Sequence, residues 1–156
     1  MSSNPHRIAL MSRTLALLGA AVALATPAHA ALGDRVSSIS NDQARLKAAR
    51  HIETRNAFTL HHLDSPTGVK VREFVSPAGM VFAVAWDGPT IPDLRQLLGS
   101  HFDQYQQAMR SSRRHGPVNL RIGDFIFQQS GHQRSFRGRA FRADLVPSGV
   151  STTDLQ

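Results

Sequence analysis

The 156-residue chain contains no cysteine, and this absence excludes several kinds of site. Disulfide bonds, thiolate ligands for zinc and a lipid-attachment cysteine behind a leader all require a thiol. Acidic residues are also few, at 11 against 18 lysines and arginines, which gives a formal net charge of +7. Most of the basic residues are arginines. An arginine excess suits fork-shaped recognition of carboxylate or phosphate, and it is equally typical of a GC-rich genome.

No apolar run reaches the roughly twenty residues that a membrane-spanning helix needs. An eleven-residue apolar run, 15–25, follows Arg7 and Arg13 and precedes the small-residue pattern Ala28-His29-Ala30. A basic start, a short apolar core and an A-x-A site are the three parts of a secretory signal peptide. The pattern therefore predicts export to the periplasm or out of the cell.

We expect residues 1–30 to be this signal peptide, cut between Ala30 and Ala31. Met11 is a second candidate start, because the segment that follows it is a complete signal peptide by itself. We expect no membrane span in the mature chain, whose 126 residues suit one domain. We divide it into a polar lead-in with a short helix (31–55), a single α+β domain (56–143) and a loose C-terminal tail (144–156).

Three apolar runs of strand length begin the domain, at 58–63, 69–75 and 80–86. The spacers between them, 65–68 and 76–79, carry Pro and Gly at the positions that type I turns favour. Such short spacers predict antiparallel hairpins. In the third run the large and the small residues lie on opposite sides. We expect a helix to cross the small-residue side, which carries Ala83 and Ala85.

A helical stripe of apolar residues follows, at positions 94, 97, 98, 102, 105 and 109. It predicts one helix, with Thr90 as its cap and Gly99 as a close approach to the sheet or a bend. Three further strands are expected at 118–122, 125–129 and 134–141. The order β-β-β-α-β-β-β predicts an α+β fold, an antiparallel sheet with one main amphipathic helix on a face.

Catalytic patterns are weak in this sequence. The adjacent His61 and His62 point to opposite faces of a strand, so they do not predict a metal site, and we expect no cofactor. No serine lies in a G-x-S-x-G elbow. Asp87 and Asp93 flank the turn before the helix, and two carboxylates there can act as acid and base if their pKa values are split. A small hydrolase-like enzyme using them, with His101, is one hypothesis. A turn former and a helix cap are the alternative.

Two surfaces are candidates for binding. Trp86 and Asp87, beside a tight turn and a helix start, form a corner that can seat a sugar or a small anion. The alternative is a core tryptophan followed by a turn. A basic stripe carries the remaining candidates, His132, Arg134, Arg137 and Arg139, together with Arg142. Outside the cell its counterparts are lipid phosphates, acidic polysaccharide or extracellular DNA, with a solvated arginine face as the alternative. Export argues against genomic nucleic acid as a partner.

Three blocks of the sequence resemble bacterial domain of unknown function family 2844. They are 65–79, 81–89 with its Trp86-Asp87-Gly88-Pro89, and 92–99 with its Pro92-Asp93-Leu94. The resemblance extends through the strand 135–140 and the segment 145–150. It implies an exported, single-domain protein of proteobacteria. It implies no activity, and no catalytic or binding residue is carried over from it.

We therefore expect an exported, non-enzymatic binding or accessory module. Its expected partner is another envelope protein or an anionic envelope polymer. The hydrolase-like enzyme, and binding of anionic polymer or lipid phosphate through the stripe Arg134–Arg142, stay open as alternatives.

Overall fold

A computed structural model of the chain describes residues 32–111 and 116–156. The expected leader 1–30, the candidate start Met11 and the cleavage position between Ala30 and Ala31 lie outside the described residues. Between residues 32 and 111 and from 116 onward, no helix is long and apolar enough to cross a membrane.

The described residues form an α+β fold on one sheet of seven strands, which confirms the predicted fold class. The strands are β1 Ala49–Thr54, β2 Thr59–Asp64, β3 Lys70–Val75, β4 Val81–Gly88, β5 Val118–Ile122, β6 Phe125–His132 and β7 Ser135–Arg142. The helices are α1 Ile39–Leu46, α2 Leu94–Leu98 and α3 Phe102–Ser111. All neighbouring strands are antiparallel, in the order β1-β2-β3-β4-β7-β6-β5. The two meanders meet where β4 pairs with β7.

The seventh strand, β1, comes from the segment expected to be a polar lead-in. The short helix expected in this lead-in is α1, which ends at Leu46 because Lys47 adopts the left-handed conformation (φ 50°). The chain then enters β1, where Arg50 lies opposite Leu63 of β2. An edge strand is exposed along much of its length, so its polar composition hides the alternation that predicts strands. The lead-in therefore belongs to the sheet.

The single helix expected after β4 is two helices in the structure. Asp93, not Thr90, caps α2, and its side chain accepts hydrogen bonds from the backbone N–H groups of Arg95 and Gln96. Gly99 then takes a positive φ of 50° and a 3₁₀ turn, Gly99–His101, connects α2 to α3. A side chain rarely adopts this conformation, so the glycine produces the bend. The apolar stripe continues across it, since Leu97 and Phe102 both pack on the same core.

The sheet has two buried faces. The helix face, which α1, α2 and α3 cover, carries Val84 and Trp86 of β4. The opposite face, here called the tail face, carries Ala83 and Ala85. The expectation that the helix crosses the small-residue side is therefore wrong. The register between β3 and β4 shifts after Phe74, which places Phe82 and Ala83 on the same side and interrupts the strict alternation.

The C-terminal segment 144–156 covers the tail face and is not a loose tail. Leu155 is fully buried among the apolar side chains of this face, which include Phe74 and Phe82. Leu145, Val146 and Val150 of the same segment pack there while partly buried. Ala83 and Ala85 leave room on the central strand, and the segment fills it. Its mixed sequence shows no periodicity, because isolated apolar residues make the contacts.

Candidate functional site

The basic stripe expected along β7 is divided between the two faces of the sheet. Arg137 and Arg139 lie on the tail face, since they alternate with Ala140 of the helix face. Arg142 lies on the helix face and binds Asp144, with Nε–Oδ1 2.8 Å and Nη2–Oδ2 2.5 Å. Arg134 occupies the β6–β7 turn at φ 64° and is exposed, as is His132. The stripe is therefore not one continuous surface.

A groove of about 710 Å³ lies where Arg137 and Arg139 emerge. Strand alternation assigns most polar side chains of its lining to the tail face: Arg72 of β3, Asp87 of β4, Asn119 of β5, Gln128 and Ser130 of β6, and Arg137 and Arg139 of β7. Gln129 also lines the groove and belongs to the helix face, with Phe127. Leu155 and Gln156 of the C-terminal segment line it as well. Several strands and the C-terminal segment thus build a polar, open groove.

Arg139 forms one wall of the groove and fixes the C-terminal segment. Its Nε donates a hydrogen bond to Gln128 Oε1 at 2.7 Å. Its Nη1 donates to the backbone carbonyls of Thr152 at 2.6 Å and of Leu155 at 3.5 Å. These bonds use much of the donor capacity of the guanidinium. Arg139 therefore acts mainly as a structural anchor, and its contribution to the groove is its positive charge.

Arg72 and Asp87 form an ion pair beside this wall, with Nη2–Oδ1 2.6 Å. The Nε of Arg72 is buried and has no hydrogen-bond partner among the described residues. The Asp87 side chain is 39 % exposed, so solvent screens the pair and its contribution to stability is small. The groove therefore contains one guanidinium that is only partly satisfied.

Arg137 stands directly opposite Asp87 in the sheet register, yet Asp87 pairs with Arg72 instead. Arg137 is exposed and forms no ion pair with any residue that the structure describes. Three guanidinium groups share the groove with one side-chain carboxylate, so the net charge of its side chains is positive. They can neutralise an anion and can donate hydrogen bonds to its oxygens.

Trp86 and Asp87 both line the groove, but they do not form an exposed corner, because the indole is buried. Trp86 is 1 % exposed, packs against Phe127 at 5.6 Å between ring centroids, and lies on the helix face. A methyl group added at Gly138 would lie 2.3 Å from its Cζ2, so the indole lies directly against that glycine. Asp87 points to the other side of the sheet. The core interpretation of Trp86 is therefore correct.

The three residues of the hydrolase hypothesis do not converge. Asp87 lies on the tail face in its pair with Arg72. Asp93 caps α2 and is exposed. His101 stacks on Phe125, with ring centroids 5.0 Å apart and planes 8° apart, and burial lowers its pKa. Within 32–111 and 116–156, no group of three His, Asp or Glu side chains is arranged to hold a metal ion.

Two features of the structure were not predicted from the sequence. Arg72 and Gln128 contribute to the groove, and their sequence signal is weak because pairing between distant strands brings them together. The other feature is a buried polar cluster on the helix face, formed by Asp42, Glu73 and Gln96. Glu73 had a readable signal. It lies two residues from Val71 and two from Val75, so its side chain points to the same buried face as theirs.

A comparison with protein families identifies the chain. The model described as "Protein of unknown function (DUF2844)" matches residues 28–155. The chain belongs to this family. The DUF2844 match includes every strand, all three helices and Leu155, so it covers the described fold and the groove. The family description carries no activity. No curated protein and no solved structure matches the chain.

Proposed function

We propose that this DUF2844 protein is an exported, non-enzymatic binding module whose tail-face groove holds an anionic envelope polymer. One observation carries the proposal. Arg137 is exposed and without an ion pair in the described structure, in a groove that also holds the charges of Arg72 and Arg139. An acidic polysaccharide presents repeated carboxylate or sulfate groups that such a groove can neutralise.

Openness and charge support a polymer over a compact ligand. The groove runs across residues of five strands, β3 to β7, and is not closed by a lid in the described residues. The amide groups of Asn119 and Gln128 can donate and accept hydrogen bonds with hydroxyl groups along a sugar chain. Export is an expectation from the leader 1–30, and it places the protein where such polymers occur.

Retention on immobilised heparin, a sulfated polysaccharide, tests this proposal. The Arg137→Ser variant is expected to elute at a lower salt concentration than the wild-type mature protein. The variant neutralises fewer anionic groups, so its binding releases fewer counterions. Arg121→Ser is the matched control. Arg121 is an exposed arginine of β5, on the same sheet but outside the groove, and its loss changes the net charge equally. We expect a clearly smaller shift for this control.

Equal shifts for the two variants would show a response to net charge alone and would contradict a site in the groove. No retention of the wild type at low salt would remove the proposal altogether. Vesicles with anionic lipid serve as the second probe. Stronger binding to them than to heparin would favour the lipid-phosphate alternative over polysaccharide.

A further inference from the structure

A buried pair of carboxyl groups lies on the helix face, on the side of the sheet opposite the groove. Asp42 of α1 and Glu73 of β3 are each 1 % exposed. Gln96 of α2, also buried, donates a hydrogen bond through Nε2 to Asp42 Oδ1. The carboxyl groups of Asp42 and Glu73 lie within hydrogen-bonding range of each other, so the three side chains connect α1, α2 and the sheet at one point.

The charged groups around the pair compensate little of its negative charge. On β1 and β2, Arg50 directs its Nε (3.1 Å) and Nη2 (2.6 Å) to Nδ1 of His61, so the imidazole accepts and is neutral. Arg45 of α1 interacts with Asp42, and Arg50 with Glu73, by electrostatic attraction without a hydrogen bond. The remaining facing charge is Asp93 at the start of α2, which is negative.

Neither oxygen of Glu73 has a hydrogen-bond donor among the described residues when both acids are ionised. Two carboxylates cannot donate to each other, whereas a proton on one of them completes a carboxyl–carboxylate hydrogen bond. Two negative charges that are buried away from solvent repel each other strongly. The arrangement is therefore satisfied with a shared proton and unsatisfied without one.

We propose that the Asp42–Glu73 pair is a proton-dependent latch, which holds α1 on the sheet while the pair keeps a proton and releases α1 when that proton is lost. Release here is a local opening. Before α1 the chain is held by the bridge between Arg35 and Met80, and after it by the pairing of β1 with β2. The helix can therefore move away from the sheet while both of its ends stay attached.

The acid–base properties of the pair agree with this geometry. Burial raises the pKa of Asp42 to about 6. Burial, followed by the negative charge of Asp42, raises the pKa of Glu73 well above its ordinary 4.5. Because both pKa values are raised in the folded state, the stability that these groups contribute is present in acid and is lost as pH rises through them.

His61 has the opposite effect on the pH dependence of stability, over the lower part of the pH range. Burial, and then the charge of Arg50, lower its pKa from 6.5 to about 4. Its contribution to stability therefore increases as pH rises from about 4 to 6.5 and is constant above that. In this window it offsets the loss from Asp42. Above about pH 6.5 His61 no longer offsets any loss, so a further fall in stability with rising pH comes from the carboxyl pair alone.

Amide hydrogen exchange of α1 between about pH 6 and 9, corrected for the intrinsic rate, tests the latch. The opening constant of α1 amides is expected to increase by up to about tenfold per pH unit, the value for one proton. Amides of Phe125–Phe127 in β6 serve as the internal control and are expected to stay constant. Glu73→Gln carries an amide that cannot ionise and that donates to Asp42, so its α1 opening constant is expected to stay flat.

Asp42→Asn provides a second variant should Glu73→Gln fail to fold. The amide introduced there still accepts from Gln96 and can donate to an ionised Glu73, so the pH dependence is expected to weaken in this variant too. His61→Asn is expected to leave the alkaline rise unchanged, because His61 is already neutral. A wild-type rise that persists in both carboxyl variants, or one that appears equally in α1 and β6, would overturn the latch.

Discussion

Replacing Leu155 with alanine tests whether the C-terminal segment is part of the fold. The side chain is fully buried in the tail-face core. Truncation to alanine removes three carbons, at roughly 0.8 kcal/mol each for the transfer from water. The cavity left behind adds to this loss, and buried Leu→Ala changes cost about 2–5 kcal/mol in total. We expect about 2.5–4 kcal/mol here, because the end of the chain can relax into part of the space.

Urea unfolding of the mature protein, followed by tryptophan fluorescence, measures the change. The midpoint is expected to fall while the slope with denaturant stays constant, since the folded and unfolded surfaces are nearly unchanged. Ile91→Ala is the matched control. Ile91 is an aliphatic residue of equal size that is 39 % exposed, and we expect about half the loss for it.

A loss below about 0.5 kcal/mol for Leu155→Ala, or one no larger than that of Ile91→Ala, would refute this reasoning. The segment would then be a loose tail, as its sequence pattern suggests. The result also bears on the groove, because Arg139 forms its wall while bound to the carbonyls of Thr152 and Leu155. A free segment would leave that guanidinium unanchored.

Two further predictions concern the core and the leader. Gly138→Ala places a methyl group 2.3 Å from Cζ2 and 2.6 Å from Cε2 of Trp86. Because the indole is buried and cannot withdraw, we expect a loss of about 3 kcal/mol or more in urea unfolding, with a changed fluorescence maximum. N-terminal sequencing of the protein recovered from a periplasmic or secreted fraction is expected to begin at Ala31. Recovery of the intact chain from the cytosol would contradict export.

The local signals that predicted strands correctly are those that depend on neighbours in the sequence. The Pro and Gly residues of 65–68 and 76–79 fix short turns, and apolar runs on either side must then pair as antiparallel hairpins. The strands β2, β3 and β4 follow these predictions closely. The strand β1 was missed because an edge strand needs little apolar surface. Its pairing depends on β2 and not on its own composition.

The candidate site was harder to predict for a different reason. Arg137 and Arg139 were predicted as part of one basic stripe, and alternation along β7 places both on the same face of the sheet. Their partners were not predictable, because Arg72 and Asp87 approach them only through the pairing of β3, β4 and β7. The same pairing separates Asp87 from His101 by the thickness of the sheet. Spacing along the chain contains no information about which face a distant residue shares.

By itself, the sequence determined the α+β class, the turns and the positions of the inner strands, since each depends on contacts within a few residues. It also carries the leader pattern on which the expectation of export rests. The tertiary structure alone decided that 144–156 is part of the core, that the helices cover the Trp86 side of β4, and that Asp42 meets Glu73. Each of these outcomes depends on elements far apart in the chain, which the closing of the sheet brings together.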